Sequence, residues 1–233
     1  MEKSTVVITG ANRGIGLALS RAFVEAGEYQ VVACCRDTAS AGDLQTLATK
    51  ADGRLEIHAL DVATDASVAS FAASIRGRKV DILINNAGIN GGPSQSLGDV
   101  DCDAWLNALN VNTVGPMRVT MALLDNLRLA QNAKIATISS QMGATVWPGS
   151  GKYIYCSTKA GANQAMRLLA RDLASEGMIV TLWHPGWVRT DMGGQGADIA
   201  PEESGEGLFR SIISHTEKHN GGFFKWNGEP HAW

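Results

Sequence analysis

Short apolar, β-branched runs alternate with longer amphipathic stretches along this chain, and the alternation leaves few folds open to it. The first run, Thr5-Val6-Val7-Ile8-Thr9, reads as a buried strand and passes through a glycine-rich turn into a helical pattern at 17–26. Runs at 30–35, 55–60 and 80–84 follow, with another helical pattern at 65–77. Strands joined by helical crossovers line up in parallel and need helices on both faces. The expected fold is therefore a doubly wound α/β sheet, with the turns after its strands gathered along one ligand-holding edge. At 233 residues, 45% apolar and 18% charged, the chain suits one substantial core, so a single domain over 1–233 is expected.

The turn after the first strand is Gly10-Ala11-Asn12-Arg13-Gly14-Ile15-Gly16, with the spacing Gly-x-x-x-Gly-x-Gly. Gly10 permits a sharp turn, Gly14 lets backbone approach a pyrophosphate, and Gly16 allows close packing while the helix's free amides meet negative charge. The second strand ends at Cys35, followed by Arg36, where an acid would bind the 2′-hydroxyl of NAD. Arg36 and Arg13 instead suit a 2′-phosphate, which makes NADP the expected cofactor. Asp37 is the rival, placed to serve the ribose if Arg36 is merely solvated. Asp61 ends the third strand, either as an acceptor for an adenine amino group or as the cap of a turn. Asn85-Asn86-Ala87-Gly88 then gives the fourth strand a small-residue exit against which a cofactor can lie.

In the second half, 101–130 reads mostly as helix, interrupted by Asn112 and by Gly115-Pro116. A proline there removes a hydrogen bond and invites a kink, with Asn112 the candidate to enter the gap. A fifth strand at 134–139 delivers Ser139 and Ser140 to the ligand edge. Next comes Tyr155-Cys156-Ser157-Thr158-Lys159, which on a helix puts Tyr155 and Lys159 on one face. A free phenol ionises near pH ~10 and a neighbouring cation favours phenolate, so this pair can act as a proton donor. The helix continues through Leu168, Leu169 and Leu173, and a strand at 179–182 leads to His184-Pro185-Gly186-Trp187-Val188-Arg189-Thr190.

Other classes of function find little support. The net charge of -3 and the lack of a basic cluster argue against a nucleic-acid partner, and no apolar run suits a membrane span. The first strand begins too early for a signal peptide, which points to a cytoplasmic protein. Cys34, Cys35, Cys102 and Cys156 have no CxxC spacing and read as reduced thiols. His215 and His219 lie four apart on a helical pattern ending near His219, but without an acidic third ligand no metal is expected. Glu202, Glu203 and Glu206 suit the first turn of that helix.

Taken in order, these motifs resemble the short-chain dehydrogenase/reductase family over essentially the whole chain. The match runs through Thr-Gly-x-x-x-Gly-x-Gly at 9–16, Asn-Asn-Ala-Gly at 85–88, Asn112, Ser140, Tyr155 with Lys159, and Pro185-Gly186. Gly-Ala-Asn-Arg-Gly-Ile-Gly-Leu, Val-Asn-Thr-Val-Gly-Pro and a Gly-Phe-Phe-x-Trp-x-Gly tail resemble its C-factor and sniffer-like carbonyl reductase branch. The resemblance implies strand order 3-2-1-4-5-6-7 and an NADPH-dependent carbonyl reductase. Tyr155 would be the general acid, Ser140 would hold the carbonyl oxygen, and Lys159 would lower the tyrosine pKa and bind the nicotinamide ribose. Asn112 would position a relay water.

The same resemblance assigns a cofactor site to Gly10, Asn12, Arg13, Gly14, Ile15, Gly16, Arg36, Asn86, Ala87, Gly88, Tyr155, Lys159, Pro185 and Gly186. Asp61 and Val62 would flank the adenine, and Val188 and Thr190 would bind the carboxamide. Ser140 precedes Tyr155 by slightly more than the commonest family spacing, and Tyr153 is a rival phenol on the wrong side of the helix. Gln141, Met142, Trp147, Tyr153, Trp187 and Met192 are expected around the substrate, an uncharged ketone, aldehyde or quinone, with 191–201 as a lid. Relatives pair through the helices around Asn112 and Tyr155, so a homodimer or homotetramer is implied; Ala160, Ala162, Ala165 and Met166 suit either such packing or the core. The rival functions are an NAD-dependent alcohol dehydrogenase and a dinucleotide-binding signalling or regulatory protein.

Overall fold

A computed structural model describes residues 3–233. Its strands are β1 (Ser4–Thr9), β2 (Tyr29–Cys35), β3 (Leu55–Ala59), β4 (Ile82–Asn85), β5 (Lys134–Ile138), β6 (Ile179–His184) and β7 (Phe223–Lys225). They form one sheet in the order β3-β2-β1-β4-β5-β6-β7, with every neighbouring pair parallel. The fold is the expected doubly wound α/β domain. Chain order reverses between β1 and β4, which opens a crevice at their carboxyl ends.

Alternate strand residues enter two apolar layers. Val6, Ile8, Ala33 and Ile84 pack with Leu19 and Phe23 of α1 (Gly14–Ala26), Leu44 of α2 (Gly42–Lys50) and Leu208 of α8 (Pro201–Ser214). On the other face, Val7, Val32 and Leu83 meet Val68 and Phe71 of α3 (Asp65–Ser74), with α5 (Gly115–Ala122) and α7 (Tyr153–Asp172). Each large side chain so buried contributes about 1.5–3 kcal/mol, which explains strands apolar on both faces. Cys34 and Cys35 fall in opposite layers, and all four cysteines are free thiols. Ala162 and Met166 face the core, whereas Ala160 and Ala165 are half-buried.

Two stretches differ from the sequence reading. The expected helix at 101–130 is divided into α4 (Cys102–Leu109), a π-helical turn (Asn110–Val114), α5, and α6 (Leu124–Arg128). Pro116 sits in the first turn of α5, and the backbone widens just before it, in the turn that carries Asn112. At the other end of the chain, α8 stops at Ser214, so His215 and His219 do not share a helix. Thr216 and His219 cap a separate 3₁₀ turn, Glu217–His219, and the two imidazoles stack at 4.2 Å beside Phe224. Among the described residues no helix is long and apolar enough to cross a membrane, and no group of three or more His, Cys, Asp or Glu is arranged to hold a metal.

Candidate active site

The glycine turn is tight enough to exclude side chains. Gly10 and Gly14 have φ of +63° and +54°, and a Cβ on Gly16 would lie 2.2 Å from the Gly10 carbonyl oxygen. Asn86 fastens this turn to β4: its Nδ2 donates to the carbonyls of Thr9 and Gly10, while the Asn86 and Ala87 amides donate to Thr9 Oγ1. α1 begins at Gly14, three residues before the helical pattern does, with no side-chain cap and no acid in its first turn. Its free amides therefore suit an anionic group brought against the crevice.

The adenosine end discriminates between the sequence alternatives. Asp37 accepts from Ala39 N, Ser40 N and Ser40 Oγ, and these bonds, led by the Ser40 hydroxyl, hold its carboxyl below the usual range. It is spent on its own turn. Arg36 is exposed and has no ion pair among the described residues, while Arg13 pairs with Asp191. Asp61 caps the Ala63 amide at 2.9 Å, the turn role foreseen for it. Arg118 donates to Val62 O at 2.7 Å and to Asn110 Oδ1 at 3.0 Å, which ties that turn to the π-helical segment.

Around the second half of the crevice, Ser140 leaves β5 in an extended conformation and caps a 3₁₀ turn, Gln141–Gly143, by accepting from Met142 N. Its hydroxyl lies close enough to the Tyr155 phenol to oppose the rise of that phenol's pKa. One helical turn beyond Tyr155, Lys159 is 5% exposed and donates to Ile138 O at 2.9 Å; its Nζ lies 5.9 Å from the centre of the tyrosine ring. Part of Tyr155 opens to solvent, but its phenol is enclosed, and burial pushes its pKa up to about 12, opposed by the neighbouring Ser140 hydroxyl. Burial likewise pushes Lys159 down to about 8. The expected lowering of the tyrosine by the lysine is not seen: desolvation sets the rise, and the group that opposes it is Ser140.

Asn112 stands on the π-helical turn, but its side chain bonds outside its own helix rather than filling a gap in it. Its amide exchanges both hydrogen bonds with the backbone of Ile89, each at 2.8 Å, and donates to Thr158 Oγ1 at 3.0 Å. The side chain therefore clasps the loop after β4. On the facing side, Ser204 Oγ holds Pro185 O, Gly186 takes φ of +89°, and Val188 bridges to Ile199. Thr190 then reaches the glycine turn, where a Cβ on Gly14 would lie 3.1 Å from its methyl group. The segment expected as a lid is tied back to its stem by Arg189 Nη1, which donates to the carbonyls of Ala197 and Asp198.

The six residues expected around a substrate divide. Trp147 folds over Gly149 of its own loop, and Trp187 donates from its indole to Gly193 O at 2.9 Å. Tyr153, Trp187 and Met192 leave large apolar surface exposed, Met142 is half-buried, and Gln141 is exposed.

A family model described as short chain dehydrogenase matches residues 4–198. The chain belongs to the short-chain dehydrogenase family. This dehydrogenase is 39% identical over 165 residues to the C-signal protein of Myxococcus xanthus, a match covering 70% of the chain and 99% of that protein. Carbonyl reductase Sniffer of D. melanogaster superposes with a TM-score of 0.94 at 30% identity over 100% of both chains. The NADPH-bound carbonyl reductase from chicken fatty liver does so with a TM-score of 0.92 at 31% identity, again over 100% of both.

Two supports of this dehydrogenase's site had no role in the sequence reading. His184 Nδ1 accepts from Gln141 N at 3.2 Å, extending the β5–β6 ladder by a side chain just where β5 has ended. Burial, then His231 and Lys225, push its pKa down to about 4, so the ring stays neutral and able to accept. Asn163 is buried one turn beyond Lys159, accepting from Ser139 Oγ and donating to Gly143 O at 3.1 Å. A buried asparagine in step with Lys159 is a signal that the helix pattern did contain.

Proposed function

We propose that this short-chain dehydrogenase is an NADPH-dependent reductase of ketone, aldehyde or quinone carbonyls, with Tyr155 as general acid. The observation that carries the reading is the convergence of the Ser140 hydroxyl and the Tyr155 phenol, with the buried Lys159 amine one helical turn on and 5.9 Å from the tyrosine ring, beside Gly88. The cradle fits a dinucleotide, because open helix amides and side-chain-free glycines leave room for a diphosphate. Arg36, without an ion pair among the described residues, together with Arg13, which pairs with Asp191, favours a 2′-phosphate, and Asp37 is committed elsewhere. Binding of NADPH by the similar chicken enzyme supports the same choice.

When bound, NADPH supplies the hydride. Ser140 holds the substrate oxygen and, with Tyr155, stabilises the negative charge that develops there. Tyr155 gives that oxygen its phenolic proton as the carbon is reduced, leaving tyrosinate. Lys159 then faces an anion, so the burial that disfavours each charge alone favours the pair. Asn112 keeps the loop at 88–90 in place, and Lys159 is also positioned to bind a ribose hydroxyl.

Fluorescence titration with NADPH and NADH, followed by turnover of a small carbonyl panel, tests the reading. Tighter NADPH binding with carbonyl-dependent oxidation is expected; tighter NADH binding would favour an NAD-dependent alcohol dehydrogenase. A signalling role is the second reading, drawn from the C-signal relative, and NADPH binding without turnover of any carbonyl would favour it. Self-association belongs to the same proposal: Leu106, Met121 and Leu168 expose apolar side chains on α4, α5 and α7, and light scattering should find a dimer or tetramer.

A further inference from the structure

The first turn of a helix leaves amides with no partner inside the helix, and α7 carries Tyr155 on that turn. Nothing local satisfies them. Lys152, the residue before the helix, has φ of +55°, offers no side-chain cap, and is followed by no acid in the first turn. The earliest amide to find a partner within the segment is Cys156 N, which reaches Lys152 O at 2.9 Å.

Gln95 caps this turn from the loop after β4. Its backbone carbonyl accepts from Tyr153 N at 3.1 Å, and its side-chain Oε1 accepts from Tyr155 N at 3.0 Å. The residue is 1% exposed, and its Nε2 donates to Gly92 O at 2.7 Å and Asn90 O at 2.9 Å, so both ends of the amide are engaged. Gly91, at φ of +88°, lets the same loop lie on Ile154: a Cβ there would come within 2.3 Å of the isoleucine Cγ2. The other end of the loop is Ile89, clasped by Asn112. Residues 89–95 thus form a strap from Asn112 to the Tyr155 turn.

We propose that Gln95 is a positioning residue for Tyr155, setting the height and rotation of the first turn of α7 and hence the distance between the phenol and Ser140. The inference rests on Tyr155 being the proton donor. Lys159 lies one turn further along and is anchored independently on Ile138 O, so loosening the strap displaces the phenol and leaves the ammonium in place. The effect therefore falls on turnover, with cofactor affinity preserved.

Gln95→Met keeps the side-chain length and the backbone carbonyl but removes the Oε1 acceptor and the Nε2 donor together, whereas Gln95→Glu removes the donor and keeps the acceptor, so the difference between them reads the bond to Tyr155 N. Gln95→Met should lower kcat about 10- to 100-fold, the scale of a displaced catalytic group, with KM for NADPH within about twofold of wild type. Gln95→Glu should regain about tenfold of that loss. Hydrogen exchange at the Tyr155 amide should quicken in Gln95→Met while that of Lys159 stays slow. Wild-type kcat in Gln95→Met, equal losses in the two variants, or unchanged exchange at Tyr155 would overturn the proposal. Should Gln95→Met not fold, Gln95→Asn, which withdraws the acceptor by one methylene, replaces it in each comparison. If the wild type reduces no carbonyl, the reductase reading fails, while the exchange measurement still decides whether Gln95 holds the Tyr155 turn.

Discussion

The glycine cradle and the Ser140–Tyr155 centre face each other across one crevice but are built in different ways. The cradle is local: one strand, one turn and one helix start within residues 4–26, fastened to β4 by Asn86. The proposed reactive centre is assembled from distant pieces, with Ser140 from the end of β5, Tyr155 from α7, and supports from Gln95, Asn112 and His184. A local site is rigid because no side chain fits where its glycines stand. An assembled site is only as well placed as its long-range hydrogen bonds.

That contrast can be broken by substitution, and Gly16 is the strongest place to try. Gly16→Val would drive its Cβ into the Gly10 carbonyl, which is backbone and cannot give way cheaply. NADPH affinity should fall by more than about 100-fold, as read by fluorescence titration, because the helix amides can no longer dock on the turn. Ser140→Ala should do the reverse, lowering kcat about 100-fold while NADPH binds as before, on the scale of losing one oxyanion donor. Equal damage to binding and turnover in both variants would erase the distinction between the two regions.

How much of this was legible in the sequence follows the same division. The parallel sheet and the glycine turn were readable because a glycine spacing and a β-branched run act on their immediate neighbours, while the strand order came with the family resemblance. For 101–130 the interruption at Asn112 and Gly115-Pro116 was readable, but not its form, a π-helical turn whose Asn112 bonds the distant Ile89 backbone. Nor was the end of α8, where a helical spacing of His215 and His219 hid a capped 3₁₀ turn. Gln95 gave no signal at all: a lone glutamine becomes a helix cap only when folding brings in a helix 60 residues away.

Smaller effects sharpen the comparison. Arg36→Ala should weaken NADPH about tenfold and leave NADH unchanged, the size of one charge-assisted hydrogen bond. Acid should loosen the assembled side of the fold. His184 and His215 are each pushed from 6.5 to about 4, chiefly by burial, so they resist protonation when folded. Below their unfolded value the unfolded chain binds the extra protons. Stability should therefore be full above about pH 6.5 and decline towards pH 4, by at most about 1.4 kcal/mol per pH unit for each ring, as followed by thermal denaturation.

The most direct test is the rate of NADPH oxidation in a single turnover with a saturating carbonyl, compared between wild type and Tyr155→Phe. With Tyr155 as the acid, the variant should bind NADPH as tightly as wild type and oxidise it at least about 100-fold more slowly. An unchanged rate in Tyr155→Phe would contradict the mechanism, because the fold and the cradle would then suffice without the phenol.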